Sequence, residues 1–548
     1  VGAGGEACRR HTLACVKIAR LSAVALAGSL VACSSSADSE PPPATRATVA
    51  ESVEETGDGG DAGTGLEPSG GTGSETEANA LPSAGDAAPT PLDYSIVFDD
   101  IGGGSEAGWI TVPVDYDDPQ GSTLELWVVR HRADDDERVG VLFSNNGGPG
   151  APASVMATNA RGWFQDPLVD RFDIVSWDPR GTGRSGGSVD CIDGADYDLF
   201  FGSYDITPDD QAERDEIVDL SRTFAERCVE QVGDVLAHIG TNNSARDMDA
   251  IRQALGEEQA SYFGYSYGSE LGAVWATLFP DTVRAAVLDG AAHPDAEGLE
   301  PAKQQQLGFE RVLNTFLAAC SADDDCAFHN DGDAEGAFDA LMESLDENPV
   351  PGSDGRAAVN QTIAITGVIQ AMYTDRRWPA LERALADAAD GDGAGLLALN
   401  DSYFQRDPTT GEYTDLLESF QAISCADEAD RLTVEEADAE AEELIGIAPR
   451  LFPGTTSQYT CDFFPPSADP RAVITGERAG PIVVIGTTGD PSTPLSSSEA
   501  MAAALEDGTL VTVEANRHTA YRSGSCIDDI VHDYLIWLDV PAADARCS

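Results

Sequence analysis

"ASYFGYSYGSELGAVWATLF", residues 260–279, decides how the chain is read. Its first part is aromatic and strand-forming. From Glu270 onward apolar residues return every three to four positions, as on a helix. At the junction stands Gly264-Tyr265-Ser266-Tyr267-Gly268. A serine on a tight strand-to-helix turn is a nucleophile elbow, and glycines flank it because the backbone there is crowded and sharply bent. Such a turn lifts the Ser266 hydroxyl above the strand ends. It also leaves the N–H of Tyr267 where an oxyanion would form. A hydroxyl in a glycine-rich turn is the plainer alternative; the strand before it and the helix after it argue against that.

Upstream, "GWITVPVDY" (108–116), "TLELWVVRH" (123–131), "VGVLFSNN" (139–146) and "RFDIVSWD" (171–178) are short branched and aromatic runs divided by turn residues. Residues 205–256 read as helical, and "VRAAVLDG" (283–290) is the next strand. Strands alternating with helices predict an α/β fold with a mostly parallel central sheet covered on both faces. Between 296 and 474 the alternation yields to helical stretches such as "QQLGFERVLNTFLAAC" and "LTVEEADAEAEELIGIA". Strands resume with "GPIVVIGTTGD" (480–490) and "TLVTVEAN" (509–516), followed by the helical "IDDIVHDYLIWLD" (527–539). The expected organisation is a core over 93–295, an inserted helical cap over 296–474, and the rest of the core over 475–548.

Serine is inert until a base takes its proton. On such a sheet the partners follow in the order serine, acid, histidine. His293, His329, His518 and His532 lie after Ser266. His293 precedes any acid beyond the insertion, His329 lies inside it, and His532 sits in an amphipathic helix as a surface or packing residue. His518 follows a late strand, on the loop at its carboxyl end, where ligands meet such sheets. Asp490 ends the preceding strand in a turn stiffened by Pro491 and Pro494, placed to orient the His518 ring. The second oxyanion donor is expected after an early strand, where "FSNNGGPGAP" supplies Gly147 and Gly148 and glycine lets backbone N–H approach a substrate.

Three other patterns point elsewhere and fail. Gly181, Gly183 and Gly186 in "WDPRGTGRSG" imitate a dinucleotide fingerprint, but no helix opens directly after them. Asp178 and Arg180 there read as loop braces. Asp331-x-Asp333-x-Glu335-Gly336 begins like a calcium loop, yet Met342 stands where the closing carboxylate is required. Cys320, Cys326 and His329 lack a fourth zinc ligand at suitable spacing. Neither a cofactor nor a metal is expected.

The chain of 548 residues carries a net charge of −64, a field that repels phosphate backbones and argues against nucleic acid as a partner. Residues 1–32 read as an export signal: Arg9, Arg10, Lys17 and Arg20 precede "LSAVALAGSLVA", too short to span a bilayer. Leu30-Val31-Ala32-Cys33 resembles a lipobox, making Cys33 the expected lipidation site and the anchor the only membrane contact. Residues 33–92 read as an acidic, disordered linker too poor in apolar residues to offset chain entropy. The cysteines beyond it, Cys191, Cys228, Cys320, Cys326, Cys425, Cys461, Cys526 and Cys547, suggest disulfides in an exported chain. Eight cysteines admit 105 connectivities. Pairing sequence neighbours gives 191–228, 320–326, 425–461 and 526–547 as the expectation.

"VPVDYDDP", "NNGGPG", "WDPRGTGRSG", "GYSYG", "AISCADE", "GTTGDPSTP" and "NRHT" occur in that order over residues 112–519. Together they resemble the exported bacterial tripeptidyl-aminopeptidase-like serine hydrolases, relatives of prolyl aminopeptidases. The resemblance implies an α/β-hydrolase fold with a helical cap, no cofactor, and release of short peptides from free N-termini. By motif it carries Ser266, Asp490 and His518 over as the triad. An esterase using the same triad, or an envelope binding protein that keeps only the fold, are the alternatives. Aspartate-nucleophile dehalogenase or epoxide-hydrolase chemistry is disfavoured by the serine at 266.

Overall fold

The computed structural model describes residues 94–548 apart from 135–136, 202–204, 206, 209, 296–298, 354, 430 and 454–458. The export signal, Cys33 and the linker lie outside the described residues. The strands are β1 (Asp99–Gly102), β2 (Ser105–Pro113), β3 (Thr123–His131), β4 (Gly140–Asn145) and β5 (Phe172–Trp177). They continue with β6 (Ala260–Tyr265), β7 (Val283–Asp289), β8 (Ile482–Thr487), β9 (Gly508–Val513) and β10 (Arg546–Cys547). They form one sheet in the order β1-β2-β3-β5-β4-β6-β7-β8-β9-β10. β1, β2, β3 and β5 pair antiparallel at one side, and every pairing from β5 through β4 to β10 is parallel.

The parallel strands are buried along their length, as continuous apolar runs covered on both faces must be. Alternate side chains serve opposite cores. Phe143, Tyr262, Leu288 and Val484 join one, while Leu142, Phe263, Val287 and Val483 join the other. Before the insertion the helices are α1 (Ser154–Thr158), α2 (Ala160–Trp163), α3 (Asp166–Val169), α4 (Gly194–Phe201), α5 (Gln211–Val232), α6 (Thr241–Ala254) and α7 (Tyr267–Leu278). Between β7 and β8 come α8 (Leu299–Ala322), α9 (Ala334–Glu347), α10 (Gln361–Met372), α11 (Trp378–Ala389), α12 (Ala394–Tyr403), α13 (Leu416–Asp427), α14 (Val434–Leu444) and α15 (Thr460–Phe463). After β8, α16 (Leu495–Ala504) and α17 (Ser525–Trp537) complete the set. Met248, Trp275 and Met501 cover one face; Met156, Leu168 and Leu535 cover the other.

Helices α10, α12 and α13 have no counterpart in the sequence reading. α10, "QTIAITGVIQAM", is rich in branched residues and buried nearly all round, so its apolar residues trace no single stripe. Periodicity finds amphipathic helices, and α10 is not one. The four cysteine pairs 191–228, 320–326, 425–461 and 526–547 are bonded. With Cys320 and Cys326 so joined, His329 turns Nδ1 to the Cys320 carbonyl at 3.0 Å. Asp333, from the calcium-like run, caps α9 by accepting the Gly336 N–H at 3.0 Å.

Helix α13 fastens the insertion to the core through carboxylates. Asp415 accepts the Gly183 N–H at 3.1 Å and the Ser188 hydroxyl at 2.6 Å. Glu418 accepts the Cys191 and Ile192 N–H groups at 2.7 and 2.8 Å, and Asp427 takes the Thr241 N–H and hydroxyl, both at 2.6 Å. A glycine-loop amide that would face a nucleotide phosphate thus faces an aspartate instead. The loop is also braced from below: Asp178 accepts the Ser154 and Arg184 N–H groups, and Arg180 makes a fully buried pair with Asp247 at 2.6 Å.

Burial raises Glu418 to about 8 and Asp427 to about 7, with neighbouring carboxylates adding to it and the bonded N–H groups opposing it. Both therefore hold protons in the fold that they release in the unfolded chain. Their contribution to stability is complete below the ordinary carboxylate range and is lost as pH rises through 7 to 8. The thermal midpoint is expected to fall between pH 6 and pH 9. Glu418→Gln, which keeps an acceptor and removes the titration, should flatten that profile in parallel melts.

Candidate active site

Ser266 sits between β6 and α7 with φ 54° and ψ −125°, a conformation that non-glycine residues avoid. Close approach explains the glycines around it. A Cβ on Gly264 would lie 2.1 Å from the Gly268 carbonyl oxygen, and one on Gly268 would lie 2.6 Å from that of Asn145. The Ser266 N–H is held by the Asp289 carbonyl at 3.0 Å. Its own carbonyl accepts the Ser269 N–H at 2.8 Å and the Ser269 hydroxyl at 2.5 Å. The strained turn is therefore fixed on both sides.

Tyr267 opens α7, so its N–H belongs to the first turn, where amides have no partner within the helix. Its phenol is buried against the Thr241 hydroxyl at 2.6 Å, and Thr241 in turn rests on Asp427. The "AISCADE" segment thus steadies the N-terminus of the elbow helix from the insertion. Gly147 lies beside the serine: a Cβ there would be 3.0 Å from the Ser266 Cβ. The Gly147 N–H donates to Asn145 Oδ1 at 2.8 Å. Gly148 follows it at φ 110°. The side chain of Asn145 gave no signal in the sequence for its hold on this loop.

Asp490 and His518 are brought together. The His518 Nδ1–H points at the Asp490 carboxylate, 2.8 and 2.9 Å from its oxygens, and both side chains are buried. Asp490 also accepts the Ser492 and Thr493 N–H groups at 2.9 and 2.8 Å and the Thr493 hydroxyl at 3.2 Å. Charge-assisted bonds of this kind fix a carboxylate in a dry site and, with it, the imidazole tautomer. With the proton on Nδ1, Nε2 is the basic nitrogen. One short segment borders both the serine and the histidine. Asp289 holds the Ser266 N–H, and a Cβ on the next residue, Gly290, would lie 3.1 Å from His518 Cε1.

The insertion reaches His518 directly. Tyr373, just past α10, accepts the His518 N–H on its carbonyl at 3.1 Å and sets its ring edge-on to the imidazole, centroids 5.8 Å apart. Thr374 pairs with Arg517 as an antiparallel bridge. No sequence signal marked Tyr373, because its helix carries no amphipathic stripe. The other histidines do other work. His532 is buried against the Tyr521 hydroxyl at 2.9 Å, and His293 Nδ1 accepts the Asp295 N–H at 3.1 Å. Among the described residues no group of three or more His, Cys, Asp or Glu side chains is arranged to hold a metal ion.

Comparison with known proteins agrees with this architecture. A family described as alpha/beta hydrolase fold matches residues 141–344, and one described as TAP-like protein matches residues 453–547. Serine protease Hip1 of Mycobacterium tuberculosis is 35% identical over 468 residues, spanning 82% of this chain and 88% of that protein. Carboxylesterase B of the same organism is 33% identical over 80% of this chain and 85% of its own length. Tripeptidyl aminopeptidase of Streptomyces lividans is 28% identical over 81% of this chain and 83% of its own. An elbow serine on a parallel sheet, a buried Asp–His pair in the loops after β8 and β9 and relatives of this similarity lead to one conclusion: the chain belongs to the α/β-hydrolase superfamily, among the tripeptidyl-aminopeptidase-like serine hydrolases.

Proposed function

We propose that the protein is an exported serine aminopeptidase that releases short peptides from free N-termini, with Ser266 as nucleophile, His518 as base and Asp490 as its orienting acid. The observation that carries this reading is the buried Asp490–His518 pair bordering a serine held in elbow geometry. His518 Nε2 takes the hydroxyl proton as Ser266 attacks the scissile carbonyl, then gives it to the leaving amine. The Tyr267 and Gly148 N–H groups receive the oxyanion; each such donor is worth roughly 3 kcal/mol in the transition state. Water, activated by the same imidazole, then releases the acyl group.

Three relatives inform the substrate class, two bearing peptidase names and one an esterase name. The peptidase reading is preferred because residues 296–474, acting as a cap, bring Tyr373 and α13 against the catalytic loops. A covered site favours chain ends over internal bonds, and carboxylates of an acidic cap suit a substrate ammonium group. Four disulfides suit an oxidising compartment outside the cytoplasm. Lipidation at Cys33 would tether the enzyme there. Carboxylesterase activity is the second reading, favoured by the 33% identical relative that carries this name.

Turnover of tripeptidyl amides with free and acetylated N-termini, beside simple acyl esters, tests the substrate class. A strong preference for the free-amine peptide is expected; equal or better ester turnover with no effect of acetylation would favour the esterase. Ser266→Ala should lower kcat by roughly 10⁴-fold or more and abolish fluorophosphonate labelling. Asp490→Asn should lower kcat by about 10⁴-fold with the fold intact. Gly264→Ala drives a methyl group into the Gly268 carbonyl and should destabilise the protein by about 1–3 kcal/mol, read from denaturant melts.

A further inference from the structure

Asp289 closes β7 with its side chain fully buried, and the catalytic scheme above gives its carboxylate no task. Yet it touches both halves of the site. Its main-chain carbonyl accepts the Ser266 N–H at 3.0 Å. Its carboxylate accepts the N–H groups of Ala520 and Tyr521, each at 2.8 Å, from the second and third residues after His518. The intervening Thr519 is held at φ 63°, left-handed for a β-branched residue, which costs energy unless its neighbours are fixed. Gly290 completes the junction. Its N–H bonds to the Ile485 carbonyl in β8 at 3.0 Å, and a Cβ on it would meet Thr519, His518 and Thr493 within 3.3 Å. The histidine loop is thus gripped by two carboxylates: Asp490 fixes the ring and Asp289 fixes the backbone that follows.

We propose that Asp289 is a positioning residue that locks the His518 loop to the Ser266 turn and so sets the spacing of base and nucleophile. This rests on the Ser266–His518–Asp490 reading. Asp289 touches no reacting atom; it acts through the two loops it joins. A misplacement of about 1 Å in such a pair costs on the order of 10²-fold in rate.

The titration of Asp289 gives the idea a separate signature. Burial raises it to about 6, opposed by the Tyr521 and Ala520 N–H groups and by the positive charge of Arg517 and of His518. Both stand in the loop after β9, which also carries Glu514 and Arg522. From β6 and its turn the Ser266 backbone faces it, and the acid beyond β8, Asp490, engages His518. As pH falls through 6 a proton on Asp289 replaces one acceptor with a donor facing an N–H, and the loop loosens. Global stability runs the other way, because burial outweighs the two bonds and protonation relieves it. Activity and stability should therefore part company on the acid side.

The test compares wild type with Asp289→Asn for kcat, KM and fluorophosphonate labelling from pH 4.5 to 9, with circular dichroism to verify folding. In wild type the acid limb of kcat/KM should steepen toward two protons, His518 and Asp289. In Asp289→Asn it should involve one, with kcat down about 10- to 100-fold and KM within about threefold. A folded Asp289→Asn with kcat within about threefold of wild type and an unchanged acid limb overturns the proposal. Should that variant fail to fold, Asp289→Glu, which keeps the carboxylate and displaces it by one methylene, is read by the same criteria: kcat down at least about 10-fold with KM within about threefold supports the proposal, and kcat within about threefold of wild type overturns it. Wild type that does not label at Ser266 sinks the triad and this proposal together, a result distinct from normal labelling with an indifferent Asp289→Asn.

Discussion

The strained backbone at Ser266 is the constraint around which the molecule is arranged. A non-glycine residue at φ 54° and ψ −125° costs on the order of 1–3 kcal/mol and persists only where its surroundings leave no alternative. Here β6 and α7 pull on either side, Asp289 holds the amide and Ser269 holds the carbonyl. Gly264 and Gly268 let neighbouring chains close in to distances no side chain would permit. The strain is the mark of a sharp turn between strand and helix that its neighbours hold from both sides.

The helical insertion is part of this arrangement rather than an ornament on it. At the end of α13, Asp427 supports Tyr267 through Thr241; just past α10, Tyr373 carries the backbone of His518. Both contacts pass through main-chain or fully buried groups.

Much of this was legible in the sequence, and the reasons are specific. Ser266 was readable because strand, glycines and helix meet within 20 residues, and Asp490 and His518 because each follows an apolar run closed by turn residues. The neighbour pairing of cysteines agrees with the bonds formed. What escaped were groups defined by contact alone. Helix α10 lacks an amphipathic stripe because it is buried all round, so Tyr373 was invisible. The engagement of the Gly147 amide was invisible because its partner, the side chain of Asn145, reaches forward two residues in a manner no periodicity records. Asp289 looked like a strand end followed by glycine, and its partners lie more than 200 residues away.

A chain with 96 acidic and 32 basic residues has few cations to place against its interior carboxylates. At Asp289, Asp415, Glu418 and Asp490 backbone amides do much of that work. An amide dipole is part of the covalent scaffold: dissolved ions neither displace it nor shield it once water is excluded. The outer surface feels every change in ionic strength, whereas the catalytic framework is wired through bonds that brine and dilute buffer leave alike.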